Sequence, residues 1–337
     1  MTDTSMKRKA MRRPGRLCPL KVFVCAVLLL TAGCASTPDK EDAPDASKTQ
    51  AFSDLYDGKS TVTYATEFPV ASAEEARQRG DLALRQGDLD LALYQYIQAL
   101  ELQEDGDDVG TLARIGAIHA SRGNLELAEI AYRRSLVIDP DNAAALTGLG
   151  LILLKKRDNA TAGELLNHSV EVVSRQWRAH NALGIIADLE SEHPRAIAHY
   201  QAALNIQPTS PLLLNNLGYS YYLSEDWPAA LAMFRRALDE DPNYKLAWQN
   251  LGLLYAREEQ YTAAVDAFSH AMELSQAYND VGYLSMLDGH YELSEAFLEE
   301  AIKLSPSYYK TANQNMVRVR MLKAASEAEH YPERPAR

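Results

Sequence analysis

The sequence predicts an all-α solenoid of about seven helix-turn-helix repeats, closed by one further helix at its C-terminal end. Three observations predict it. Between Ala73 and Pro306, small, bulky and aromatic residues return with a period of 34 positions. Within one copy, Leu214, Leu217, Gly218 and Tyr221 are spaced by three and four, which puts them on one helical face. Pro208 and Pro242 recur at copy boundaries, where proline cannot continue a helix. A two-helix hairpin cannot bury its apolar face alone, so the core must come from stacking.

Taken from the start of the chain, residues 1–33 read as a secretory signal peptide. Lys7, Arg8, Lys9, Arg12, Arg13, Arg16 and Lys21 precede an apolar run from Val22 to Leu30, and Thr31-Ala32-Gly33-Cys34 follows. The run is shorter than the ~20 apolar residues that a spanning helix needs. Cys18 and Cys25 fall inside this segment, so Cys34 is the one thiol beyond it. No disulfide and no cysteine-based metal site is expected. Residues 34–70 are rich in Ser, Thr, Pro, Asp and Lys, which predicts a flexible tether. Tyr64 to Val70 is a candidate for a short extended segment against the first hairpin.

The repeats are expected at about 73–106, 109–142, 143–176, 177–210, 211–244, 245–274 and 275–308. Gly80, Ala92, Tyr96 and Ala99 mark the first; Gly116, Ala128, Tyr132 and Pro140 mark the second. The third carries Leu149-Gly150, Ala162 and Leu166, and the fourth Leu183-Gly184, Ala196, Tyr200 and Ala203. Leu217-Gly218, Ala230, Phe234 and Ala237 of the fifth are answered 34 residues later by Leu251-Gly252, Ala264, Phe268 and Ala271. The seventh is displaced, because Gly282 follows Gly252 by 30 residues and no proline precedes it. Its first helix, around Tyr278 to Met286, is therefore expected after a very short turn. Residues 309–337 predict a polar capping helix from Tyr309 to about His330, then a tail.

Composition narrows the function classes. The chain carries −12, and the first 33 residues hold seven basic side chains against Asp3, so the remainder carries −18. An acidic solenoid without a basic stripe is a poor fit to nucleic acid. His193 and His199 lack zinc-protease spacing, and no nucleophile elbow, Walker loop or dinucleotide fingerprint is present. No catalytic residue, metal site or cofactor is expected, and the chain is not read as an enzyme.

Bulky, Leu-Gly, Tyr, Ala, aromatic, Ala and Pro at these offsets resemble the tetratricopeptide repeat (TPR) pattern. That resemblance implies a superhelical stack whose first helices line a concave side, with their fifth, sixth, ninth and twelfth positions pointing inward. Those positions give Asn181, Asn215, Gln249 and Asn279, then Asn216, Asn250 and Asp280, then Ile185, Tyr219, Leu253 and Tyr283, with Tyr222 added. Side-chain amides carry donors and an acceptor for the main chain of an extended peptide, and the aromatic and aliphatic residues offer apolar pockets. The alternative is that Asn-Asn-Leu-Gly is common in such repeats and that the tyrosines pack between hairpins. Leu212 and Leu246 stand where a basic, carboxylate-holding clamp would need cations.

Small residues running into Cys34 also resemble the lipobox of bacterial lipoproteins. There the cysteine thiol is joined to diacylglycerol and the freed amine is acylated, as with palmitate, and two or three chains anchor stably. Ala35, in place of aspartate, then implies the periplasmic face of the outer membrane of a Gram-negative bacterium. The alternative is an ordinary secretory peptide cut near a cysteine. Asn215-Asn216-Leu217-Gly218-Tyr219, Ala247-Trp248-Gln249-Asn250-Leu251-Gly252 and Asn279-Asp280-Val281-Gly282-Tyr283 further resemble the TadD family of lipoproteins from tight-adherence (Flp) pilus systems. That resemblance implies a pilotin-like scaffold binding a secretin or pilus-assembly protein. Two other readings remain open: a lipoprotein adaptor recruiting peptidoglycan enzymes or an envelope protease, and an unanchored periplasmic accessory protein.

Overall fold

The computed structural model describes residues 53–57, 70–103, 108–305 and 309–330, all within one compact unit spanning 46–337. The expected signal peptide, Cys34 and most of the tether, including Tyr64 to Pro69, lie outside the described residues. The described residues form fifteen α-helices and one 3-10 turn, with no strand.

Seven helical hairpins follow one another. They pair α1 (Ala73–Gln86) with α2 (Leu89–Glu101), α3 (Val109–Arg122) with α4 (Leu125–Ile138), and α5 (Ala143–Lys155) with α6 (Asn159–Val172). Next come α7 (Trp177–Leu189) with α8 (His193–Leu204), and α9 (Pro211–Leu223) with α10 (Trp227–Glu240). The last pairs are α11 (Lys245–Arg257) with α12 (Tyr261–Ser269) and α13 (Leu274–Leu287) with α14 (Tyr291–Leu304), after which α15 (Lys310–His330) packs on the final hairpin. This is the all-α solenoid that the periodicity predicts.

Local chemistry starts and stops these helices. Ser72, Asp88, Asp108, Asn142, Asp158 and Asp226 each accept a hydrogen bond from the backbone N–H three residues on. Each satisfies a donor that the first turn would otherwise leave unpaired. Every hairpin turn holds one left-handed residue: Gly87, Gly123 and Gly289 in three of them, and Arg157, Ser191, Glu225 and Glu259 in the others.

Packing inside a hairpin explains the repeated Gly and aromatic pair. A Cβ placed on Gly218 would lie 2.7 Å from the Phe234 ring, so α9 and α10 approach only because that position is bare. Apolar cores then join neighbours. One core holds Leu214, Phe234, Leu238, Leu251 and Leu254 from the fifth and sixth hairpins. Stacking, not the single hairpin, makes the interior.

Three expectations are corrected. The displaced seventh repeat does not follow a shortened turn: α12 ends early, at Ser269, and residues 270–273 connect it to a helix that already begins at Leu274. The missing residues come from the last turn of α12, because the connection must still span the distance between helices. The tether is not free of the repeats throughout, since Ser53–Leu55 form a 3-10 turn and Leu55 is buried among side chains of the first two hairpins. Finally, α15 is not uniformly polar outside. Ala312, Met316 and Val319 face the last hairpin, while Val317 and Met321 are exposed.

Candidate peptide-binding groove

Four helices carry the residues expected to face the groove. Asn181 and Ile185 lie on α7; Asn215, Asn216, Tyr219 and Tyr222 on α9; Gln249, Asn250 and Leu253 on α11; and Asn279 and Tyr283 on α13. Asn215 and Asn279 are buried, and the other nine are half-buried.

The amides bond mainly to one another. Asn216 Nδ2 donates to Asn181 Oδ1 at 2.9 Å, and Asn250 Nδ2 donates to Asn215 Oδ1 at 2.8 Å. Asn215 Nδ2 is 3.4 Å from Asn216 Oδ1, closing a chain of four amides across the fourth, fifth and sixth hairpins. A second chain runs from Asn315 Nδ2 to Asn279 Oδ1 at 3.0 Å, and from Asn279 Nδ2 to Asp280 Oδ1 at 3.0 Å. A carboxamide has two N–H donors and two acceptor lone pairs, so these bonds use part of each half-buried amide. For buried Asn215 and Asn279 they satisfy polar atoms shut away from water.

The apolar residues are arranged differently. Tyr219 and Tyr222 stack at 6.0 Å between ring centres, with planes 22° apart. Burial, with Tyr222 and Asp188 nearby, pushes the Tyr219 hydroxyl above its ordinary range, and burial does the same for Tyr222. Both therefore stay neutral donors. Burial likewise pushes the Asp280 carboxyl up, opposed by the bond from Asn279.

Sequence reasoning missed Asp188, which occupies in α7 the twelfth position that Tyr222 fills in α9. Its carboxylate meets His193 Nδ1 at 3.0 Å and accepts from Ser220 Oγ at 2.8 Å and from Tyr200 Oη at 3.1 Å. Burial raises its pKa even so, against the bonds from His193, Ser220 and Tyr200. A charged residue at an inward position, 34 places before a tyrosine, was the available signal. Ser220 and His193 both meet Asp188 Oδ1, so the serine hydroxyl donates to the carboxylate and not to the imidazole. This cluster ties the fourth hairpin to the fifth. Among the described residues, no three His, Cys, Asp or Glu side chains are grouped to hold a metal ion, and no helix is long and apolar enough to cross a membrane.

Comparison with known proteins agrees with this architecture. Models described as tetratricopeptide repeat match residues 77–143, 215–279 and 275–308, and one described as TPR repeat matches 190–225. Together they span more than half of the chain. Over 98 residues the chain is 29% identical to human tetratricopeptide repeat protein 7A, covering 29% of this chain and 11% of that one. The chain spans only 6% to 22% of the length of the curated relatives it matches. In three dimensions it is similar to the APC/C hetero-tetramer Cut9-Hcn1, with TM-score 0.54, 18% identity, and coverage of 77% of this chain and 51% of that one. A tetratricopeptide repeat protein from Parabacteroides merdae is similar with TM-score 0.51 and 15% identity, covering 74% of this chain and 98% of that one. At these identities the two structures speak for the fold alone.

Proposed function

We propose, for a chain that belongs to the tetratricopeptide repeat family, that it is a scaffold which binds an extended segment of a partner protein along its inner surface. The observation that carries this reading is the row of half-buried Ile185, Tyr219, Tyr222, Leu253 and Tyr283 on successive first helices. Aromatic side chains with part of their surface still wet are where interfaces concentrate binding energy. The amides have a narrower part than the sequence suggests. Asn215 links the fifth hairpin to the sixth and Asn279 links the last hairpin to α15, and the open edges of Asn181, Asn216, Gln249 and Asn250 remain for a peptide backbone.

We further infer that the scaffold is held by lipid at Cys34 on the periplasmic face of the outer membrane, acting as a pilotin-like factor for a secretin or pilus-assembly component. Supporting this are the basic and apolar leader, the small residues before Cys34, Ala35 after it, and the resemblance to the TadD lipoproteins. Two measurements test it together. Palmitate labelling with membrane fractionation is expected to mark the wild type and not Cys34→Ser. Secretin multimers in the outer membrane are expected to fall in the same variant. A labelled, membrane-bound Cys34→Ser chain would overturn the anchor. Unchanged secretin assembly in a soluble variant would overturn the pilotin role.

A further inference from the structure

Residues Ser53 to Asp57 contact the first two hairpins in the manner of a bound peptide. Leu55 is fully buried in the core that contains Leu93, Leu100, Leu112 and Ile115. His119 Nε2 donates to the Leu55 carbonyl at 2.7 Å, the carbonyl having no proton to give. Asp57 pairs with Arg122 at 2.9 Å and accepts from Asn124 Nδ2, while Asp54 pairs with Arg134 at 2.7 Å. Tyr56 meets Tyr94 edge-on at 6.4 Å.

The hydrogen-bonding and ion-pair partners lie 64 to 80 residues further along the chain, so local turn chemistry does not account for the contacts. The core of the fifth and sixth hairpins, by contrast, is built from residues 204–267, all within the repeats. In a chain carrying −12, two arginines flank an apolar socket: Arg134 pairs with Asp54, and Arg122 is shared between Asp57 and Asp90. A leucine anchor between two ion-paired aspartates is sequence-selective chemistry: the socket reads shape and the arginines read carboxylates.

We propose that this surface, formed by α2, α3 and α4, is a docking site for an acidic, leucine-bearing peptide of the form Asp-Leu-Tyr-Asp. The chain's own Asp54–Asp57 occupies it in cis, and a partner segment of the same chemistry enters by displacing it. The site is separate from the inner surface of α7 to α13 and holds whether or not that surface binds a peptide.

The test uses the full chain and a fluorescein-labelled Ser-Asp-Leu-Tyr-Asp peptide, read by anisotropy. An occupant tethered in cis competes at an effective concentration on the order of millimolar, so the wild type should take up little peptide. Leu55→Asp, which expels the segment, is expected to bind the peptide at least about tenfold more tightly than wild type. Adding Arg122→Ala and Arg134→Ala, or replacing leucine by alanine in the peptide, should abolish that gain. Circular dichroism establishes that Leu55→Asp is folded. Should it melt, the Asp54→Asn, Asp57→Asn chain keeps the leucine, loses both ion pairs and should show a smaller gain. A folded variant that binds no better than wild type, or binds the alanine peptide equally well, would overturn the proposal.

Discussion

Asn250 donates its amide hydrogen to Asn215 across the junction of the fifth and sixth hairpins, at 2.8 Å, and Asn215 is buried when it accepts it. Truncating Asn215 to alanine removes a buried amide and leaves the half-buried Asn250 and Asn216 each short of one partner. Asn215→Ala is expected to lower stability by about 1–3 kcal/mol. Gln249→Ala, at a half-buried position, should change it by less than about 0.5 kcal/mol. Urea unfolding of the two variants checks the difference, and equal losses would count against the amide chain as hairpin glue.

The hairpin turns make a second prediction. Glu225 and Glu259 sit at φ of 64° and 60°, where Gly87, Gly123 and Gly289 serve the same turn elsewhere. A left-handed L-residue costs roughly 1–2 kcal/mol, and glycine's larger unfolded-state entropy offsets part of that. Glu225→Gly and Glu259→Gly should each raise stability by ~0.5 kcal/mol, additively, since the turns lie in different hairpins. A lower melting temperature in either variant would show that these glutamates contribute contacts that outweigh the backbone strain.

Asp188 predicts a pH dependence. Burial holds its folded pKa above the ordinary 3.8, so the folded chain binds this proton more tightly than the unfolded chain does. The resulting stabilisation is fully present below that ordinary value and is lost as pH rises through the raised one. Asp188→Asn removes the loss. Its amide oxygen can still accept from Ser220 and His193, and its N–H can face the Tyr200 hydroxyl oxygen. Relative to wild type, the variant should gain stability as pH climbs from about 4, then level off once Asp188 is ionised. Urea melts across that range measure it, and a flat difference would contradict the buried-carboxylate account.

Much of the fold was legible because its determinants are local and repeated. Gly218 beneath Phe234, Ala230 beside it and Pro242 at the boundary recur at one offset, and each has a single physical reason to be where it is. What escaped notice was non-local. Nothing around Leu55 says that its socket lies some 60 residues ahead, because the signal is complementarity with His119, Arg122 and Arg134 and not periodicity. The groove was half legible. Position within the repeat put Asn215 and Asn216 side by side on one helix, but only the distances to Asn250 and Asn181 show those amides already engaged with neighbouring hairpins.

The central claim is that the inner surface holds an extended peptide through its tyrosines and apolar side chains. The most direct measurement is the affinity of a phage-selected peptide, chosen against the wild type, for a chain carrying Tyr219→Ala, Tyr222→Ala and Leu253→Ala. Tyr219 and Tyr222 also pack against the core of the fifth and sixth hairpins and Leu253 against the next one, while the buried Leu217, Gly218 and Phe234 keep the rest of that packing. An aromatic anchor contributes about 2 kcal/mol or more, so titration calorimetry should show affinity falling by roughly a hundredfold while the chain still unfolds cooperatively. Unchanged affinity in the folded triple variant would contradict the account and place peptide binding on another surface of the repeats.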